Sequence, residues 1–120
     1  MQETSKTPQR LFGCAEQTAN SPLSEIEFRE EDYALVWRAL LGAIGERDYF
    51  NGTVESHHAG FTASLTTTLI IYRDKHHPER PITGIVPIWW EMHTHDSEDR
   101  EHLNDFEFCE LIKFAKQIKN

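Results

Sequence analysis

Two β-rich runs with almost nothing between them constrain this chain more than any other feature. YFNGTVESH (49–57) and FTASLTTTLIIYR (61–73) are dominated by β-branched and aromatic residues, and His58-Ala59-Gly60 is the whole connection. So short a link leaves room only for an antiparallel hairpin. One register sorts the side chains cleanly. Pairing His57 with Thr62 sets Glu55 against Ser64, Thr53 against Thr66 and Asn51 against Thr68, all polar. The other face then pairs Ser56 with Ala63, Val54 with Leu65 and Phe50 with Leu69. A slip of one residue would exchange the two faces, so the pattern predicts a half-buried sheet in this register.

A third strand, TGIVPIWWEMHTH (83–95), follows the proline-marked loop DKHHPERP (74–81). Pro87 inside it argues for an edge position or a bulge. Its even positions (Val86, Ile88, Trp90, Met92) continue the apolar face, and its odd positions (Trp89, Glu91, His93, His95) the polar one. The two tryptophans therefore serve opposite sides. Matching faces across the loop places Glu91 beside Ser64 and His93 beside Thr62. The polar face then holds a row of Glu55, Ser64 and Glu91, and a row of His57, Thr62 and His93.

Helices flank the strands. Tyr33, Val36, Trp37, Leu40, Leu41 and Ile44 form one apolar stripe over 30–45, with Glu30, Glu31 and Asp32 in the first turn and Gly45 at the end. EIEF (25–28) is a short strand or extended lead-in. A second helix is predicted over 105–118, with Asn104 as N-cap, Glu107 completing a capping box, and Leu103 stapled to Phe108. Phe108, Leu111, Ile112, Ala115 and Ile118 are its buried stripe. The expected fold is α+β: a helix, a three-stranded antiparallel meander and a C-terminal helix. Residues 1–22, polar and proline-containing, read as a flexible N-terminal arm with LFGC (11–14) as a docking patch, and 23–120 as a single domain.

The chain has 120 residues, which suits one domain. A net charge of −8 opposes phosphate backbones and anionic lipid, so neither nucleic acid nor membrane is an expected partner. No apolar run is long enough to span a bilayer, and the amino terminus has no signal-peptide pattern, which points to the cytoplasm. Cys109 is expected as a small core residue and Cys14 as a free thiol. The pairs His57-His58 and His76-His77 read as surface decoration, and DSEDRE (96–101) as a solvated acidic loop. No Ser-His-Asp pattern, phosphate-binding glycine loop or GxGxxG is legible.

Histidine chemistry concentrates in WWEMHTHD (89–96). The first and third strands lie roughly 9.5 Å apart, so one ion does not bridge His57 and His93. His93 and His95, roughly 6.5 Å apart on one face, are the only local chelate. A third ligand would come from Asp96, Asp99, His102 or Asp105. The arrangement resembles the JAMM-type zinc isopeptidases, whose pattern is an upstream glutamate, then H-x-H-x7-S-x2-D. Glu55, His93, His95 and Asp105 match it in type. Leu103 stands at the serine position and Phe106 at the aspartate position, one residue beyond Asp105. The resemblance implies a small zinc-dependent hydrolase, with zinc on His93, His95 and Asp105 and Glu55 as the base. A metallo-β-lactamase pattern fails at Ser97 and Glu98, and a histidinol-phosphatase-type barrel needs far more chain than follows His95.

Trp89 favours a different reading. An indole on a polar face calls for a cover: the arm, a helix or a second copy. The expectation is a small binding or assembly module with no catalytic residue and no cofactor. Its contact face carries Trp89, Glu91, His93, Thr62, Ser64 and His57. The partner is another protein, a second copy in a homodimer, or a small ligand in a groove there. The zinc hydrolase is the alternative.

Overall fold

The computed structural model describes residues 25–118. Over these residues the fold is α+β, with two helices on one face of a four-stranded antiparallel sheet. Its elements are α1 (Glu30–Ile44), β1 (Tyr49–His58), β2 (Phe61–Arg73), β3 (Ile82–His95), β4 (Glu101–His102) and α2 (Phe108–Ile118). The sheet order is β1-β2-β3-β4. The arm predicted over 1–22 lies outside the described residues.

The first hairpin has the register that its side-chain alternation requires. Glu55 faces Ser64, His57 faces Thr62, and Val54 faces Leu65. Ala59-Gly60 makes the turn, where Gly60 takes φ +91, a value that suits glycine. On the inner face, Phe50, Val54, Ala63, Leu65, Leu69 and Ile71 are buried against Val36, Leu40 and Ile44 of α1 and Phe108 and Leu111 of α2. α1 keeps its acidic first turn, and Gly45 closes it by donating its N–H to the Leu41 carbonyl at 3.0 Å.

β3 departs from the expected alignment in two ways. Glu91 faces Thr66, His93 faces Ser64 and His95 faces Thr62, a shift of two residues that preserves the faces but changes the rows. A bulge also interrupts the pairing, since Thr68 faces Trp89 while Leu69 faces Pro87, leaving Ile88 unpaired. The bulge reverses the alternation. Before it, the odd residue Ile85 turns to the core; after it, Trp90 and Met92 do. Val86 and Ile88, expected on the apolar face, are instead exposed. The side chain of Thr67, fully buried, donates to the Trp89 carbonyl at 2.7 Å and satisfies the backbone beside the irregularity.

The region before α2 also corrects the prediction. There is a fourth strand, because Glu101 and His102 pair with His95 and Thr94. Thr94, fully buried, donates its hydroxyl to the His102 carbonyl at 2.9 Å. α2 starts at Phe108, and Leu103 is 70% exposed, so no Leu103 staple forms. Residues 103–105 run beside the lead-in segment instead. Ile26 donates to the Leu103 carbonyl at 2.8 Å, and the Asp105 carboxylate accepts from the Phe28 amide at 2.8 Å. Asn104 clips this segment to β3 rather than capping the helix. Its Nδ2 lies 3.3 Å from both the Met92 carbonyl and Thr94 Oγ1, and its Oδ1 accepts from the Phe106 amide. These bonds hold the chain extended while Phe106 enters an aromatic cluster with Phe28, Tyr33 and Trp90. Cys109 is exposed, because the helix turns Phe108 inward and Cys109 falls on its outer side. No helix among the described residues is long and apolar enough to cross a membrane.

Candidate interaction face

Both helices cover the inner face, so the outer face of the sheet is open among the described residues. Its rows follow from the register. Tyr49, Ile70 and Val86 form one row, then Asn51, Thr68 and Trp89, then Thr53, Thr66 and Glu91. Beyond these lie Glu55, Ser64 and His93, and finally His57, Thr62 and His95. The face is therefore divided along the strands. One end carries Tyr49, Tyr72, Val86, Ile88 and Trp89, all exposed; the other carries histidines and carboxylates. Trp89 is 46% exposed and Ile88 61%, large values for side chains that gain about 2 kcal/mol each from full burial. Trp90 points the other way, edge-on to Phe106 at 5.4 Å, so the two tryptophans do serve opposite sides.

The predicted contact residues Trp89, Glu91, His93, Thr62, Ser64 and His57 share this face, but not the expected rows. Ser64 meets His93 rather than Glu91, and Thr62 lies between His57 and His95. Glu91 and β4 bracket His93: its Nε2 lies 3.2 Å from Glu91 and its Nδ1 2.6 Å from Glu101. The hydrogen bond to Glu101, helped by that to Glu91, raises the His93 imidazole above its ordinary pKa, and the same bond lowers Glu101. Nearby, Asp96 bonds the His102 ring at 2.9 Å and accepts from the Glu98 and Arg100 amides. The His102 bond, then the amides, hold its carboxyl well below the usual range. The sequence reading of 96–101 as a solvated loop missed this turn and the strand that follows it.

For the alternative zinc set, His93 and His95 lie on one face of β3, while Asp105 is engaged at Phe28 and Glu55 stands two strands from His93. The carboxylates brought to His93 are Glu91 and Glu101. Among the described residues no group of three or more His, Cys, Asp or Glu side chains has a metal-holding arrangement.

A second polar constellation lies under α1. The His58 side chain, expected at the surface, is fully buried. Its Nε2 meets Ser56 Oγ at 2.6 Å and its Nδ1 meets Asp32 Oδ1 at 2.8 Å. The ring stacks on Phe61, with centroids 4.5 Å apart. Asp32 also accepts from the Arg29 amide at the start of α1, so one carboxylate caps the helix and fixes the histidine. This is a Ser-His-Asp chain that the sequence reading did not find. Strand parity carries the missed signal. Ser56 falls on the apolar face, and His58, two residues on, shares it. Ser56 is itself buried, and the chain ties the first turn of α1 to the end of β1.

The helices and the start of β3 leave an apolar cleft of about 700 Å3, lined by Trp37, Leu41, Ile82, Ile85, Ile112 and Lys116 among others. It lies on the helix side and contains none of the residues named for the outer face. Comparisons with protein-family models, curated proteins and solved structures find no match to this chain.

Proposed function

We propose that the chain is a protein-binding module whose contact surface is the apolar end of the outer sheet face. Trp89 is its anchor, with Tyr49, Tyr72, Val86 and Ile88 around it. The single observation behind this reading is the concentration of exposed large side chains at one end of an otherwise polar face. Scattered apolar residues are ordinary on a surface, but a contiguous aromatic and aliphatic group is a mark of an interface. Tryptophan and tyrosine also dominate interface energetics. The His/Glu end supplies a polar rim that sets orientation rather than affinity. The bulge is central to this reading, because it turns Val86 outward and places Ile88 and Trp89 in solvent.

The test is a photo-crosslinking amino acid placed at Trp89 in the full chain, expressed in its own cells. The expected result is a discrete adduct with a protein partner, absent when the same group replaces Thr66 on the polar part of the face. Equal labelling at both positions, no adduct, or adducts confined to the same chain would overturn the proposal. An adduct with a second copy would identify the partner as the chain itself.

A further inference from the structure

The two edges of the sheet are built differently. β3 is defended by Pro87, by the bulge at Ile88, and by β4 over Thr94 and His95. Among the described residues β1 has no such protection. It runs ten residues in unbroken register, without proline, lysine or arginine, and no described strand lies beyond it. Its free backbone groups can be named. Asp48 accepts from the Ile71 amide at 2.9 Å, and the two-residue turn makes His58 and Phe61 a hydrogen-bonded pair. Antiparallel pairs alternate. Even residues of β1 therefore bond to β2, while Tyr49, Asn51, Thr53, Glu55 and His57 turn their N–H and C=O groups to the edge. The close approach of the Thr53 and Thr66 hydroxyls, 2.8 Å, fits this assignment, since side chains crowd at pairs that do not exchange hydrogen bonds.

We propose that β1 is a self-pairing edge. A second copy adds antiparallel to it about a two-fold axis at Thr53, joining two four-stranded sheets into one. The sequence of β1 argues for a second copy as the occupant. Centred on Thr53, the pairing sets Tyr49 against the partner's His57, Asn51 against the partner's Glu55, and Thr53 against itself. All five outward residues of each strand find a mate, and no like charges meet. Centring on Glu55 would oppose two carboxylates, and centring on Gly52 or Val54 loses pairs.

α1 provides an independent second contact. A two-fold axis perpendicular to the sheet sets α1 beside its symmetry mate. Trp37 and Leu41 line the cleft shared with β3 and α2, so at 3.6 residues per turn the opposite flank of α1 carries Leu35, Ala39 and Gly42. Gly42 is exposed, with open space where a Cβ would stand, and Leu35 and Ala39 are only partly buried. These three residues carry no charge, and the small Ala39 and Gly42 let two helices approach closely.

The test combines sedimentation equilibrium with residue-resolved hydrogen exchange on the full chain. A dimer is expected. The Asn51, Thr53, Glu55 and His57 amides should slow by about tenfold or more as concentration rises through the dimer range, with their even-numbered neighbours unchanged. Thr53→Lys sets two ammonium groups on the axis and should give a monomer with unaltered far-UV circular dichroism. Trp89→Ser, two strands from the β1 edge on the outer face, should leave the dimer intact, which separates this proposal from the partner-binding one. A single-chain mass at all concentrations, a dimer that survives Thr53→Lys, or slow odd-numbered amides in a monomer would overturn it.

Discussion

At the scale of residues, Asp32, Ser56 and His58 are the most consequential group. Removing one member leaves buried polar atoms without partners, a cost that exceeds the value of the bonds themselves. Asp32→Ala strands His58 Nδ1 and the Arg29 amide together. It should cost about 2–4 kcal/mol in urea unfolding, and an effect below about 0.5 kcal/mol would mean that the clip does not hold α1 to β1. The order Ser-His-Asp invites a nucleophile, but acyl transfer needs an open site with donors for the oxyanion. Ser56 is buried and lines no part of the described cleft. A fluorophosphonate probe is therefore expected to leave the folded chain unlabelled; labelling that vanishes in Ser56→Ala would make Ser56 a catalytic residue. His93 gives a second residue-scale prediction. Its folded pKa is raised, so its ion pair with Glu101 contributes stability at mildly acid pH, below the ordinary imidazole range near 6.5. That contribution is lost as pH rises through the raised value. Nuclear magnetic resonance titration should place His93 above the ordinary range in the native chain and lower it in Glu101→Gln. An unchanged midpoint would remove Glu101 as the cause.

At the scale of elements, legibility depended on how far a local pattern reaches. The first hairpin could be aligned residue by residue, because a two-residue turn leaves no freedom and polar and apolar residues alternate over most of both strands. The same parity applied to His58 would have placed it inside, but a histidine pair at a hairpin end looks like decoration until Asp32 is seen opposite it. β3 was legible in its faces near Trp89 and Met92 and illegible in its register. The loop over 74–81 does not fix how many residues separate the strands, and a bulge restarts the alternation without a periodic signature. Pro87 marked the place but not the consequence. Asn104 shows how a sound local signal yields to tertiary structure. It has the right spacing for an N-cap, yet its amide nitrogen is within reach of Met92 and Thr94 across the fold. The two roles separate experimentally. Asp caps helices as well as Asn does, but a carboxylate cannot donate. Asn104→Asp should therefore destabilise the chain by about 1–2 kcal/mol in denaturant unfolding; a neutral result would restore the capping role.

At the scale of the whole molecule, charge decides how the two proposed contacts respond to solution conditions. A chain with net charge −8 repels its own copies. The contacts that would overcome this repulsion carry few charges: the backbone of β1 and the Leu35, Ala39 and Gly42 flank of α1. Two β1 edges joined about Thr53 also leave both Trp89 faces on the same side of one continuous sheet, where a repeated partner could engage both at once. Salt tests this division between uncharged contact and charged surroundings. At about 50 mM salt the screening length exceeds about 10 Å and acids on the two copies still repel, whereas at about 500 mM only neighbouring charges interact. An interface held by strand pairing should gain from the screening, because it loses little attraction. Sedimentation velocity is therefore expected to show the dimer dissociation constant falling several-fold over that range. An interface built from ion pairs, such as His93 of one copy against Glu91 or Glu55 of another, would respond in the opposite sense. A dissociation constant that rises with salt would thus move the self-association away from the β1 edge and toward the His/Glu end of the outer face.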